Sequence, residues 1–469
     1  MNPMSWTKLA VCTGIGLALC AQEAARLADA LRGETPMMAD LSELCDRIGG
    51  RPTGSPAYNR AVAWGVKKFQ EAGVDSVQKE AFRVPSLWLP VSASGSAVSP
   101  ETFPLRLMAA PGTPGVNVVN ATLSLKPVKG GVWLVRTKEM KTFDDLFGEY
   151  SRTPEMMGEG QDAGVAAILL ESMQPRGLLS MHPVSLNGEP TTPPVVMVAR
   201  EQGGRLARLA EKGEVRVTLN VVNRTGPAYM ADNVVAEIRG REKPEEIVVI
   251  GAHLDSWNSG TGAEDNGVNC ALVIDIARQM KKLGLRPSRT VRFILFGGEE
   301  QGMWGSSGYV HKHWNEMDQH VAMLTYDLGS GKTSGFFLNG REELRAPLDA
   351  ALKAAGIDGL SHISGAIDGT DNFDFILAGV PNLVAMQDDR AYTPNYHAES
   401  DTFDQVNQEE AKRNAAIAAA VVWGLAESQE RPAKRQSRQE VEDLLKGTQL
   451  VEQMRLFSQW QAWEKKKRP

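Results

Sequence analysis

Apolar residues recur every three to four positions over Met37 to Gly49 (Met38, Leu41, Leu44, Ile48), and Tyr58 to Ala72 carries Val62, Trp64, Val66 and Phe69 among Lys and Glu. Each stretch predicts a helix, the first ending at Gly49-Gly50 and the second at Gly73. Ser76 to Val84 predicts a strand. From about Ser92 to Gly115 the pattern gives way to Ser, Pro, Gly and Ala, the composition of a boundary. Val116 to Thr225 then carries a pattern of its own, with strands at Gly131–Val135, Val165–Leu170, Val195–Val198 and Glu214–Val222 and helices after Val135 and at Gln202–Lys212. Between Asp232 and about Glu427, short apolar runs (Asn233–Ile238, Glu246–Ile250, Arg292–Phe296, Val321–Thr325) alternate with helical ones such as Gly267–Leu283. Alternation of this kind predicts an α/β fold whose mainly parallel sheet is sandwiched by helices.

The two ends read differently. Lys8, the apolar run Leu9 to Leu19 and then Cys20-Ala21-Gln22 have the order of a secretory signal, and eleven apolar residues are too few to span a bilayer. Export with cleavage near Ala21 is expected. A buried N-terminal helix is the alternative, and Leu19 is bulky for a lipid-attachment site at Cys20. At the other end, Glu427 to Arg435 reads as a linker and Ser437-Arg438-Gln439-Glu440 as a capping box. It opens a helix with Val441, Leu444, Leu445, Val451, Met454 and Phe457 on one stripe, followed by Lys465-Lys466-Lys467-Arg468. A solvated helix packed on its own domain is expected, with a homodimer or membrane-surface contact as the alternative. The expected segments are 1–21 signal, 22–115 first part of the main domain, 116–225 insertion, 226–428 second part, and 429–469 linker and helix.

Composition narrows the classes. With 42% hydrophobic and 23% charged residues in 469, the chain is neither disordered nor fibrous. A net charge of -6 without a basic stripe gives no nucleic-acid footprint, and no further stretch is apolar enough for a membrane helix. The four cysteines (Cys12, Cys20, Cys45, Cys270) are too few for a disulfide framework or a cysteine-rich metal knuckle, and Cys270 lies in an apolar run that suits the core. His182, alone in the insertion, reads as a solvated loop residue.

Ligands of α/β sheets bind beyond the carboxyl ends of the strands, and here those ends are rich in chemistry. Glu246–Ile250 leads into His253 and Asp255, Arg292–Phe296 into Gly297-Gly298-Glu299-Glu300, and Val321–Thr325 into Tyr326-Asp327. The turn before the helix at Gly267 holds Asp265, and Tyr396-His397 follows later. Adjacent acids occur about as often as chance predicts, so Glu299-Glu300 counts only through its position. Imidazoles and carboxylates without cysteine suit zinc or another first-row divalent ion, and a set this acidic suits two ions bridged by one acid.

These residues resemble the co-catalytic zinc aminopeptidases, and among them the carboxypeptidase Q group. The resemblance rests on Gly49-Gly50-Arg51-Pro52-Thr53-Gly54-Ser55, Val249 to Trp257, Gly284 to Arg289, Glu299 to Gly302, Gly369 to Phe373 and Ala378 to Pro381, in that order. It implies that His253 and Asp327 bind one zinc, that Glu300 and His397 bind a second, and that Asp265 bridges them. Glu299 is then the general base, and Asp255 orients His253 through its other ring nitrogen. The insertion resembles a protease-associated domain. The implied activity is hydrolysis of dipeptides or of N-terminal residues from short peptide substrates. A non-catalytic binding protein and a single-metal cyclase of related fold are the alternatives. The chain departs from the family in Pro394-Asn395-Tyr396-His397 and in Tyr326, where a small residue is expected, and both departures bear on pocket shape. Tyr396 reads equally as an oxyanion donor or as packing.

Overall fold

The computed structural model describes residues 20–185, 188, 190–456 and 459–467. Leu9 to Leu19, Phe457 and Arg468 lie outside them, so the signal reading is not addressed by the fold.

Two sheets organise the described chain. The first has seven strands in the order Ser76–Val84, Tyr229–Ile238, Arg289–Phe296, Lys243–His253, His320–Thr325, Asn382–Gln387 and Thr333–Phe337. Lys243–His253 is parallel to both its neighbours, and Asn382–Gln387 extends the parallel set. The pairings nearer the edges are antiparallel, so the sheet is mixed where a mainly parallel one was expected. The reason lies in burial. Arg289–Phe296 and His320–Thr325 are buried along their whole length, as strands covered on both faces must be, whereas Ser76–Val84 alternates between exposed and buried positions.

Alternate residues of the central strands feed two cores, as a two-residue period requires. Val248 and Ile250 join one cluster with residues of helices Pro56–Ala72, Val268–Lys282 and Gln408–Glu427. Ile247 and Val249 join another with Tyr309, Val310 and Phe375 from the helices on the opposite face. Helix Pro56–Ala72 has the ends its sequence announces: Ser55 Oγ accepts from the Tyr58 N–H, proline occupies the first turn, and Gly73 closes the helix at φ 74°.

The second sheet has eight strands drawn from Leu87 to Gly226. It begins upstream of residue 116, because the stretch with the composition of a boundary holds the long strand Leu87–Ser99, paired along its length with Val215–Gly226. After Ser437, which forms the expected capping box, the chain runs as three short helices, Arg438–Lys446, Leu450–Leu456 and Gln459–Glu464. Val441, Leu445, Leu450, Met454, Trp460 and Trp463 pack there with Phe373, Ile376 and Leu377.

Candidate metal centre

Parallel pairing brings the ends of three adjacent strands to one level, with His253 opposite Phe296 and Gly251 opposite Thr325. His253 ends its strand, Asp327 follows Tyr326, and Glu299 and Glu300 follow a Gly-Gly step. That step needs its glycines: a Cβ on Gly297 would lie 1.7 Å from the Tyr58 hydroxyl, and Gly298 has φ +69°.

Asp265 sits in the turn before helix Val268–Lys282, and Asp401 shapes that turn. Its Oδ1 accepts from the main-chain N–H of Ala263 (3.0 Å) and Glu264 (2.7 Å), and its Oδ2 from that of Asp265 (3.2 Å). Glu264 faces away, taking hydrogen bonds from the Ser330 N–H and hydroxyl at 2.6 Å each. Arg51, fully buried, donates to the carbonyls of Leu254, Thr261 and Gly262, and Thr53 Oγ1 accepts from the Gly298 N–H (2.9 Å). The stretch 51–53 therefore holds the loops on both sides of the site. His397 has φ 53°, and its carbonyl accepts from the Met181 N–H (2.9 Å) and the Ser259 hydroxyl (2.8 Å).

The five residues expected as ligands are brought together. His253 Nε2 lies 3.1 Å from Asp265 Oδ1 and 2.9 Å from Asp327 Oδ1. His397 Nε2 lies 3.3 Å from Asp265 Oδ2 and 2.9 Å from Glu300 Oε2. Two groups result, His253 with Asp265 and Asp327, and Asp265 with Glu300 and His397, the ligand-type atoms of each lying within 4.8 Å of one another. Glu299 belongs to neither, its Oε2 lying 4.0 Å from His253 Nε2. Asp255 stands behind His253 with a different contact from the one expected. His253 Nδ1 meets the Asp255 main-chain carbonyl at 3.0 Å, while the carboxylate is 3.8 Å away and accepts from the Glu299 N–H.

The donor set fits divalent cations. A carbonyl only accepts, so His253 Nδ1 carries the proton, and in a neutral ring Nε2 then presents a lone pair to two carboxylate oxygens. Burial opposes a proton on His253, yet Asp327 and Asp265 outweigh it and raise its affinity for one, and a divalent cation between these atoms would meet the same demand for positive charge. Glu300 Oε1 is likewise buried without a hydrogen-bond partner. Burial lowers the affinity of His397 for its proton, yet Glu300 and Asp265 outweigh it and hold the imidazole at about 10. Burial, with Asp327 and Glu300 nearby, drives the Glu299 carboxyl well above its usual range despite His253, and Glu300 is raised by burial to about 7.

Beside these groups opens a cavity of about 310 Å³. Its walls include Phe143, Phe147 and Tyr150 from helix Phe143–Ala163 of the second unit, Tyr392 and Tyr396 from the His397 loop, and Gln459. Tyr396 stacks on the His397 ring at 3.7 Å between centroids. Tyr326 is not part of the wall and packs its ring edge-on to Phe336 at 6.3 Å. Cys270 is buried as expected, its thiol donating to the His253 carbonyl. His182 is corrected: it is buried rather than solvated, stacked on Tyr150 at 4.7 Å with Nε2 3.0 Å from Thr153 Oγ1, and burial lowers it to about 4. Sequence reasoning gave Arg51, Thr53 and Asp401 no role although they stand in or beside recognisable motifs, and Gln459 left no signal in the pattern.

Residues 233–422 match the family model of peptidase family M28. Carboxypeptidase Q of Xenopus laevis is 28% identical to this chain, covering 83% of it and 86% of that protein. Aminopeptidase YwaD of Bacillus subtilis (strain 168) is 25% identical over 86% of this chain and 88% of its own. The crystal structure of a peptidase M28 precursor from Shewanella amazonensis SB2B aligns with a TM-score of 0.80 at 26% identity, covering 89% of this chain and 99% of that one. The family resemblance and the metallopeptidase class read from the motifs are thereby borne out. The M28 match spans His253, Asp255, Asp265, Glu299, Glu300, Asp327 and His397. It leaves outside Arg51, Thr53, helix Phe143–Ala163 and Gln459.

Proposed function

We propose that this chain is an exported di-zinc exopeptidase that removes N-terminal residues from short peptides. The observation that carries the reading is the sharing of Asp265, one oxygen turned to His253 and the other to His397. His253, Asp265 and Asp327 would hold one ion, and Asp265, Glu300 and His397 the other. Bound there, two divalent ions would polarise the scissile carbonyl and acidify an attacking water. Glu299, beside both groups and ligating neither, takes the proton of that water and returns it to the leaving amine. The Asp255 carbonyl keeps the His253 proton on Nδ1, which leaves Nε2 free to ligate. Cavity chemistry favours the N-terminal end of a peptide: Glu299 and Asp368 line it, whereas its lining among the described residues holds no lysine or arginine for a C-terminal carboxylate. The second sheet with its helices serves as a protease-associated domain whose helix Phe143–Ala163 walls the cavity. Export rests on the pattern of Lys8 to Gln22, and a similar chain, 27% identical, is the Probable lipoprotein aminopeptidase LpqL of Mycobacterium tuberculosis (strain ATCC 25618 / H37Rv).

Metal analysis of the purified chain alongside hydrolysis of aminoacyl amides and dipeptides tests the reading. Parent and Glu299→Gln should each hold two ions per chain, with turnover lower in the variant by a factor of roughly 10² to 10⁴. Two ions with no turnover of any peptide would instead support a binding protein, and full turnover in the variant would remove Glu299 as the base.

A further inference from the structure

The cavity wall is aromatic and aliphatic over much of its extent, and away from the metal centre it carries the polar side chains of Asp368, Thr370 and Gln459, the last on the side of the C-terminal helices. Gln459 lines the cavity, is 4% exposed, and has its Oε1 buried without a hydrogen-bond partner. A buried acceptor lowers stability unless something donates to it, and no described residue does. Phe143, Phe147, Tyr150 and Tyr396 meanwhile offer ring faces and edges that suit an aromatic guest. Resting on the aminopeptidase reading, and with the substrate's N-terminal side chain lying in this cavity, we propose that Gln459 is a specificity-determining residue. It hydrogen-bonds the phenolic tip of an N-terminal tyrosine. A phenol both donates and accepts, so it satisfies the amide whichever way it is turned, whereas phenylalanine leaves the buried oxygen unpaired. The residue lies in the C-terminal helices, beyond the M28 match, and thus makes selectivity a property of this chain's tail.

The test compares kcat/KM for Tyr-, Phe- and Leu-7-amido-4-methylcoumarin with the zinc-loaded full chain and with Gln459→Met and Gln459→Glu, whose folding is checked by circular dichroism. One hydrogen bond to a buried amide predicts a Tyr:Phe ratio of about 10 or more in the parent. The ratio should fall to near 1 in Gln459→Met and stay well above 1 in Gln459→Glu, which keeps an acceptor. Inhibition by free L-tyrosine and L-phenylalanine should change in parallel. A parent ratio near 1, or a high ratio that survives Gln459→Met, overturns the assignment while turnover of the Leu substrate leaves the aminopeptidase reading standing. Failure of the parent to hydrolyse any of the three overturns both. Should Gln459→Met not fold, the parent ratio decides alone.

Discussion

Arg51 sits where no solvent can reach its guanidinium, and its three carbonyl partners all lie in the loop between His253 and Asp265. Arg51→Met would strand those carbonyls. At about 1 to 3 kcal/mol for each buried polar group left unpaired, urea unfolding should show a loss of about 3 kcal/mol or more, with metal content falling as well. His320 gives a prediction about pH far from the metal centre. Arg292 donates to the Tyr309 hydroxyl, which donates to His320 Nε2, while His320 Nδ1 donates to the Glu316 carbonyl. This chain of bonds suits the neutral ring, and burial lowers His320 to about 3. In the unfolded chain it titrates at about 6.5, so below that pH the unfolded state binds the extra proton. The stability that neutral His320 contributes is complete above pH ~6.5 and is lost as pH falls toward 3, by up to about 1.4 kcal/mol per pH unit. Denaturant unfolding across this window should show a shallower decline in His320→Gln. Little of this second network was legible in the sequence: neutrality of a histidine depends on partners from three elements that no spacing brings to notice.

At the scale of elements, the loop 174–182 of the second unit is clamped to the loop that carries His397. Gln174 Nε2 donates to the Thr393 carbonyl (2.9 Å), and Glu399 accepts from Arg106 (2.6 Å) and from the Leu179 N–H (3.2 Å). Trp257 joins the core of the second unit, edge-on to Trp88 at 6.3 Å and to His397 at 6.2 Å. On the proposed di-metal reading, Gln174→Leu should weaken metal binding at the group of Glu300 and His397 about tenfold and leave the His253 group less affected, as metal titration of the full chain would show. Elements with strong periodicity were legible, among them helix Pro56–Ala72, strand Ser76–Val84 and the rim strands, and so was the convergence of seven site residues. Strand Leu87–Ser99 was not, because its Ser, Gly and Pro content is that of a loop. Gly95 serves there a purpose no propensity records, since a Cβ would come within 2.5 Å of the Thr218 carbonyl. The tail has the stripe of one helix; Gly447 and Thr448 interrupt it, and burial of Trp460 and Trp463 sets the direction of the last short helix.

Over the whole molecule, the two sheets meet around a cluster of buried carboxylates whose mutual repulsion bound cations would relieve. Metal removal by a chelator should therefore lower Tm, and restoring ions to 100 times their Kd should return about 2.7 kcal/mol per site. Calorimetry with and without zinc measures the difference, and an unchanged Tm would argue against resident ions. The cavity wall has an uneven distribution along the chain: Phe143 and Tyr150 precede the ligand residues, and Gln459 follows them all. A ribosome making this protein has therefore synthesised every candidate ligand while the chamber still lacks one wall. The chamber is thus closed last by the part of the chain made last, after every hydrolytic group is already in place.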